Sequence, residues 1–198
     1  MLKRLLMVVS ASVLLGASPA HAATIHFTTT LAPEVMGSTG SGEALVTFDT
    51  DAHTLVVSFD FADLTGTTTV AHIHCCVDPP GTVGVATYPG TFPVFPSGLT
   101  SGSYTSPSPI DLLLASSYTA TFLTTFGGGT TEGAEAAMLA GLLDGRAYLN
   151  IHTTFAGGGE IRGFLTAVPE PATLLLLGSG LGALLLRGRR QRGSGRLR

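Results

Sequence analysis

Two short apolar runs, residues 5–17 and 172–186, each beside basic side chains, bracket a body that contains no lysine. This arrangement restricts the part that can fold in water to the residues between them. Lys3 and Arg4 precede the first run and six arginines from Arg187 to Arg198 follow the second, which leaves Arg146 and Arg162 in between. All thirteen acids lie from Glu34 to Glu170, so with two arginines that stretch carries a net charge of −11. Such a surface cannot supply the positive field that a phosphate backbone requires, which excludes nucleic acid as a partner. Charged residues make up only 12% of the chain, against about 25% in ordinary soluble domains. With 26 glycines and frequent threonine, the composition favours strands and turns over a helical bundle.

Met1-Leu2-Lys3-Arg4, the apolar stretch from Leu5 to Ala17 and the small residues up to Ala20-His21-Ala22 follow the plan of a cleavable signal peptide over residues 1–22, cut after Ala22. The mature chain therefore works outside the cytoplasm. At the other end, Val168-Pro169-Glu170-Pro171 precedes fifteen residues from Ala172 to Leu186. As a helix these would span ~22 Å, short of the ~30 Å of a bilayer core. Gly178, Gly180 and Gly182 weaken the span further. The arginine tail, residues 187–198, stays on the cytoplasmic side, so the segment reads as a short transmembrane helix that enters the membrane transiently. Residues 168–198 resemble the PEP-CTERM sorting signal of Gram-negative bacteria that make extracellular polysaccharide. The resemblance rests on Pro169, Glu170 and Pro171, the short apolar helix and the arginine cluster, in that order. It implies recognition by an exosortase-type membrane protease, removal of the tail at or near the triplet, and delivery to the cell surface or beyond. An ordinary tail anchor is the alternative.

Residues 23–167 are enough for one domain with its own core. Thr24 to Thr28 alternates and predicts a strand. Ala44–Phe48 and Thr54–Phe59, around the polar Asp49-Thr50-Asp51-Ala52-His53, predict a hairpin. Residues 67–74 predict a further strand. Seven prolines between 78 and 109 predict a long ordered loop, because proline has no N–H for a ladder. Residues 111–126 suggest a helical turn or two. A short helix is expected over 132–143, capped by Thr131, favoured by Glu132 and Glu135 and ended at Gly145. Its buried side is expected to hold the pairs Met138/Leu142 and Leu139/Leu143. Residues 146–152 and 160–165 predict a closing hairpin, with Ala147, Leu149 and Ile151 on one face and Tyr148, Asn150 and His152 on the other.

Ala71-His72-Ile73-His74, then Gly145 to Thr153, then Gly158-Gly159-Glu160-Ile161-Arg162-Gly163, resemble the CHRD domain, named after the animal growth-factor antagonist chordin. The resemblance implies a mainly all-β fold, an Ig-like antiparallel β-sandwich, with no established enzymatic activity. This chain departs from chordin in its single copy, its Cys75-Cys76 pair and its proline-rich insertion, so growth-factor binding does not carry over.

His72 and His74 leave the same face of a strand, and Cys76 joins them if the strand continues. With His152 they form a candidate copper or zinc site, since imidazole and thiolate suit both metals. Copper–zinc superoxide dismutase also draws copper ligands from a His-x-His strand, but His26 and His53 form no second cluster here. The alternative is structural: outward histidines on a solvated sheet face, hydrogen-bonded to neighbours such as Asn150. Adjacent Cα atoms sit ~3.8 Å apart, whereas disulfides favour ~4.4–6.8 Å. Cys75 and Cys76 are therefore left with three outcomes: a vicinal disulfide, a metal-held thiolate, or bridges to another chain. Arg146 and Arg162 are expected to find carboxylate partners, with Glu160 a candidate. No Ser-His-Asp order, paired-carboxylate motif or phosphate-cradling loop occurs in its required context. The expectation is a non-catalytic exported surface or extracellular-matrix module, with exopolysaccharide or matrix as its surroundings. A secreted metal-binding protein is the second reading.

Overall fold

The computed structural model describes residues 24–169 and Gly180. The signal segment with its cut after Ala22, and Glu170, Pro171 and the arginine tail, lie outside the described residues, as does the apolar run apart from Gly180. The described chain is mostly β. It contains strands β1 (Thr24–Pro33), β2 (Gly42–Asp49), β3 (Thr54–Phe61), β4 (Thr68–Cys75), β5 (Gly102–Thr105), β6 (Ile110–Asp111), β7 (Ala147–Thr153), β8 (Ile161–Phe164) and β9 (Thr166–Ala167), with helices α1 (Ala120–Thr125) and α2 (Thr131–Leu143).

All strand pairs are antiparallel, in the order β4-β7-β8-β1-β2-β3-β5, with β6 on β3 and β9 on β1. Strand β1 belongs to both halves of this curled sheet. Its residues Thr24 to Leu31 pair with β2, while Ala32 and Pro33 pair with Ile161 and Arg162 of β8. One layer contributes Phe27, Val46, Phe48, Leu55 and Val57 to the core, and the other contributes Ala71, Ile73, Leu149, Ile151 and Ile161. The result is the antiparallel β-sandwich that the family resemblance implies.

Three local expectations change. The loop over 78–109 carries a strand, β5, which pairs with Phe61 to Ser58. It lies in the proline-free stretch 97–106, where every residue still has an N–H to donate. Helix α2 begins one residue early, because the hydroxyl of Thr130, not Thr131, accepts the Gly133 N–H at 3.1 Å. Met138 and Leu142 are buried and Leu139 packs partly buried against the core, but Leu143 is 53% exposed, so only that member of the second pair turns away. Gly145 does close the helix, at φ +66°, with its N–H on the Leu142 carbonyl.

Candidate metal centre

Strand β4 divides its side chains between two faces, as alternation requires. Ala71, Ile73 and Cys75 enter the core, and His72 and His74 leave on the opposite side. Strand β7 lies beside it, with His72 opposite Asn150, His74 opposite Tyr148 and Val70 opposite His152. His152 thus comes diagonally next to His72, and the two ring centroids are 5.2 Å apart. His74 is 5.9 Å from His72 and 5.8 Å from His152.

This face is not solvated. His72, His74 and His152 are only 6%, 7% and 8% exposed, because the chain after Cys76 folds back over them. The physical reason lies in long-range pairing: Val85 bridges to His74, and the backbone of Val83 and Gly90 reaches the histidine rings. Tyr148 stacks flat on His74 at 4.7 Å, and its hydroxyl donates to the Val83 carbonyl at 3.2 Å. Arg162 donates to the carbonyls of Gly81 (3.1 Å) and Pro80 (2.8 Å), lies over the Tyr148 ring at 4.9 Å and pairs with Glu34 at 3.1 Å. The covering loop is therefore pinned from below by Tyr148 of β7, the strand that carries His152, and by Arg162 of its neighbour β8.

Each ring is oriented by one backbone carbonyl. His72 Nε2 meets Gly90 O at 2.7 Å, His74 Nδ1 meets Val83 O at 2.8 Å, and His152 Nδ1 meets Gly157 O at 3.0 Å. A carbonyl can only accept, so in each neutral ring the proton sits on that nitrogen and the other nitrogen keeps a lone pair. Those remaining atoms converge. His72 Nδ1 and His152 Nε2 are 3.4 Å apart, and His74 Nε2 is buried with no partner. One ligand atom from each histidine lies within 4.8 Å of the others, and among the described residues this is the one such group of histidine, cysteine or acidic side chains. Burial pushes the His74 imidazolium down to about 4, against the hydrogen bond to Val83 O and with help from His152, His72 and Arg162. Burial likewise lowers His72, although Gly90 O opposes it. Both rings are neutral at neutral pH, with lone pairs available.

Cys76 does not reach this group. Its sulfur is bonded to that of Cys75 and contacts the Ala137 carbonyl of α2 at 3.6 Å. The sulfurs lie against Gly141, where any Cβ would collide with both. The cysteines therefore face the core side and the helix, while the histidines face the other way. Glu160 is not an arginine partner either. Arg146 pairs with Asp78 at 2.8 Å and Arg162 with Glu34. Glu160 instead is fully buried and accepts hydrogen bonds from Ser38 (2.9 Å), Thr65 N (2.6 Å), Gly66 N (3.1 Å) and Thr153 (2.5 Å). His26 bonds to Thr47 and His53 to Glu135.

Sequence reasoning placed Tyr148 and Asn150 on the histidine face but missed Glu34, Val83 and Gly90. Glu34 accepts from the Asn150 amide at 3.0 Å as well as from Arg162. No local pattern marks it or the two carbonyls, since they act through backbone or through a partner distant in sequence. Among the described residues no helix is long and apolar enough to cross a membrane.

A family model for the CHRD domain matches residues 26–165, and one for the PEP-CTERM protein-sorting motif matches residues 167–190. No match was found among curated proteins or among solved structures.

Proposed function

We propose that this chain, which belongs to the CHRD domain family, is a non-catalytic surface or matrix module that holds one copper or zinc ion on His72, His74 and His152. The PEP-CTERM motif makes it an exported protein sorted by an exosortase. Release into the matrix, association with exopolysaccharide and the bound ion are the parts proposed here.

One observation carries the reading: each of three buried histidines keeps one ring nitrogen on a backbone carbonyl, and one ligand atom from each ring lies within 4.8 Å of the others. Two facing lone pairs repel, and an unpartnered buried nitrogen is costly. A cation among them removes both penalties. Two imidazole nitrogens that share a tetrahedral ion at ~2.0–2.1 Å stand about 3.3–3.4 Å apart, and His72 Nδ1 and His152 Nε2 are 3.4 Å apart. The carbonyls of Gly90, Val83 and Gly157 supply the outer contact that metal-bound histidines use to fix ring and tautomer. An all-imidazole set suits copper and zinc better than calcium or magnesium, which favour oxygen. The non-catalytic part of the reading is supported by the covering loop, which leaves a substrate little access to the ion.

The test is metal content after reconstitution of the chelator-stripped mature protein with copper or zinc. One equivalent is expected, lost when His72 and His74 are both replaced by alanine. A metal-free protein after reconstitution would end the proposal.

A further inference from the structure

Strand β9 sets the start of the sorting motif directly beside the start of the folded body. Ala167 lies opposite Phe27 and Thr166 opposite Thr28. The Thr166 hydroxyl donates to the Thr28 carbonyl at 3.2 Å, and the Val168 N–H donates to the His26 carbonyl at 2.8 Å. The ladder stops there, because Pro169 has no N–H to continue it. Both ends of the body thus leave the sheet as antiparallel neighbours. Only Ala23 separates Thr24 from the expected cut after Ala22, and Pro169 follows Val168 at once.

We infer that this edge is the face the body turns to the membrane-embedded sorting protease, and that β9 must leave β1 before the protease can engage the triplet. The inference rests on the exosortase-sorted reading above. Its first ground is distance. From Val168 to Ala172, where the apolar run begins, the chain covers four residues and reaches at most ~14 Å. A folded body on so short a tether sits against whatever holds the apolar run. The second ground is hydrogen bonding. An extended peptide is gripped through its backbone N–H and C=O groups, and those just before the triplet are engaged by β1. The third is that the latch is small: β9 is two residues long and exposed on both, so it can open without unfolding the core.

A disulfide across the latch tests this. The full-length chain carrying Thr28→Cys and Thr166→Cys, opposite each other in the register, is produced in a host with its sorting system. Conversion of precursor to processed form is followed with and without reductant. The oxidised double variant should accumulate as precursor while either single variant is processed like the unmodified chain. Reductant, or a Gly-Ser spacer inserted after Val168, should restore processing. Processing of the demonstrably bonded form at the normal rate would overturn the inference, as would failure of both reductant and spacer to restore it. Deletion of Pro169, Glu170 and Pro171 is the control: if that variant is processed and distributed unchanged, the sorting reading itself is what fails.

Discussion

His72 Nδ1 and His152 Nε2 face each other across 3.4 Å, while the opposite nitrogen of each ring is held by a backbone carbonyl. Neither atom can donate to the other unless one ring takes a second proton, and burial opposes that in His72. With both rings neutral the pair is an acceptor–acceptor contact, and His74 Nε2 is buried nearby without a partner.

Ion binding to the folded state alone stabilises it by mass action, by about 2.7 kcal/mol at a ligand concentration one hundred times Kd. Thermal unfolding of the mature protein should therefore shift upward on adding zinc or copper(I). The shift should vanish in His152→Ala. A shift of equal size in that variant would mean the ion binds elsewhere.

Glu160 links stability to pH. Burial alone would raise its carboxyl, but hydrogen bonds from Thr153, Thr65, Gly66 and Ser38 outweigh burial and hold it below the ordinary 4.5. The unfolded chain then takes up a proton more readily than the folded one. Stability from this group is complete above the unfolded value and is lost as pH falls through the folded value. Urea midpoints should decline below about pH 4.5, and Glu160→Gln should flatten that decline. The variant should also be less stable at neutral pH, by about 1–3 kcal/mol, because its amide cannot satisfy four donors. An unchanged pH profile would assign the acid sensitivity to other groups.

Gly141 gives the cysteine pair its room. Gly141→Ala puts a methyl group onto both sulfurs, and overpacking of this kind costs about 1–3 kcal/mol, readable as a lower urea midpoint. Unreduced mature protein should weigh two hydrogens less than the reduced form as a monomer. A monomer without that loss would contradict the Cys75–Cys76 bond.

Arg162 pins the loop over the histidines through Pro80 O, Gly81 O and its pairing with Glu34. Arg162→Met keeps much of the side-chain volume but removes every donor. It should destabilise the protein by about 2–4 kcal/mol and speed amide exchange around Val83, whose N–H meets the Tyr148 hydroxyl. Unaltered exchange there would show that the loop is held by other contacts.

Period-two alternation made β1, the β2–β3 hairpin, β4 and the β7–β8 hairpin readable, because one face of each must enter the core. The two-residue spacing of His72 and His74 likewise put them on one face. Their burial was not readable, since it depends on Val83 and Gly90 returning over a sheet that no local pattern connects to them. Cys76 was grouped with the histidines on the assumption of a continuing strand, but β4 ends at Cys75 and the sulfur turns toward α2. β5 was hidden by the surrounding prolines. Glu160 looked like an arginine partner because charge is visible in a sequence, whereas three of its four donors, on Ser38, Thr65 and Gly66, come from distant segments.

X-ray absorption at the metal edge tests the three-histidine centre most directly. The mature protein loaded with one equivalent of zinc or copper should show a first shell of nitrogen or oxygen at ~2.0–2.1 Å with the outer scattering of three imidazoles. A sulfur scatterer at ~2.3 Å, or fewer than two imidazoles, would contradict the account.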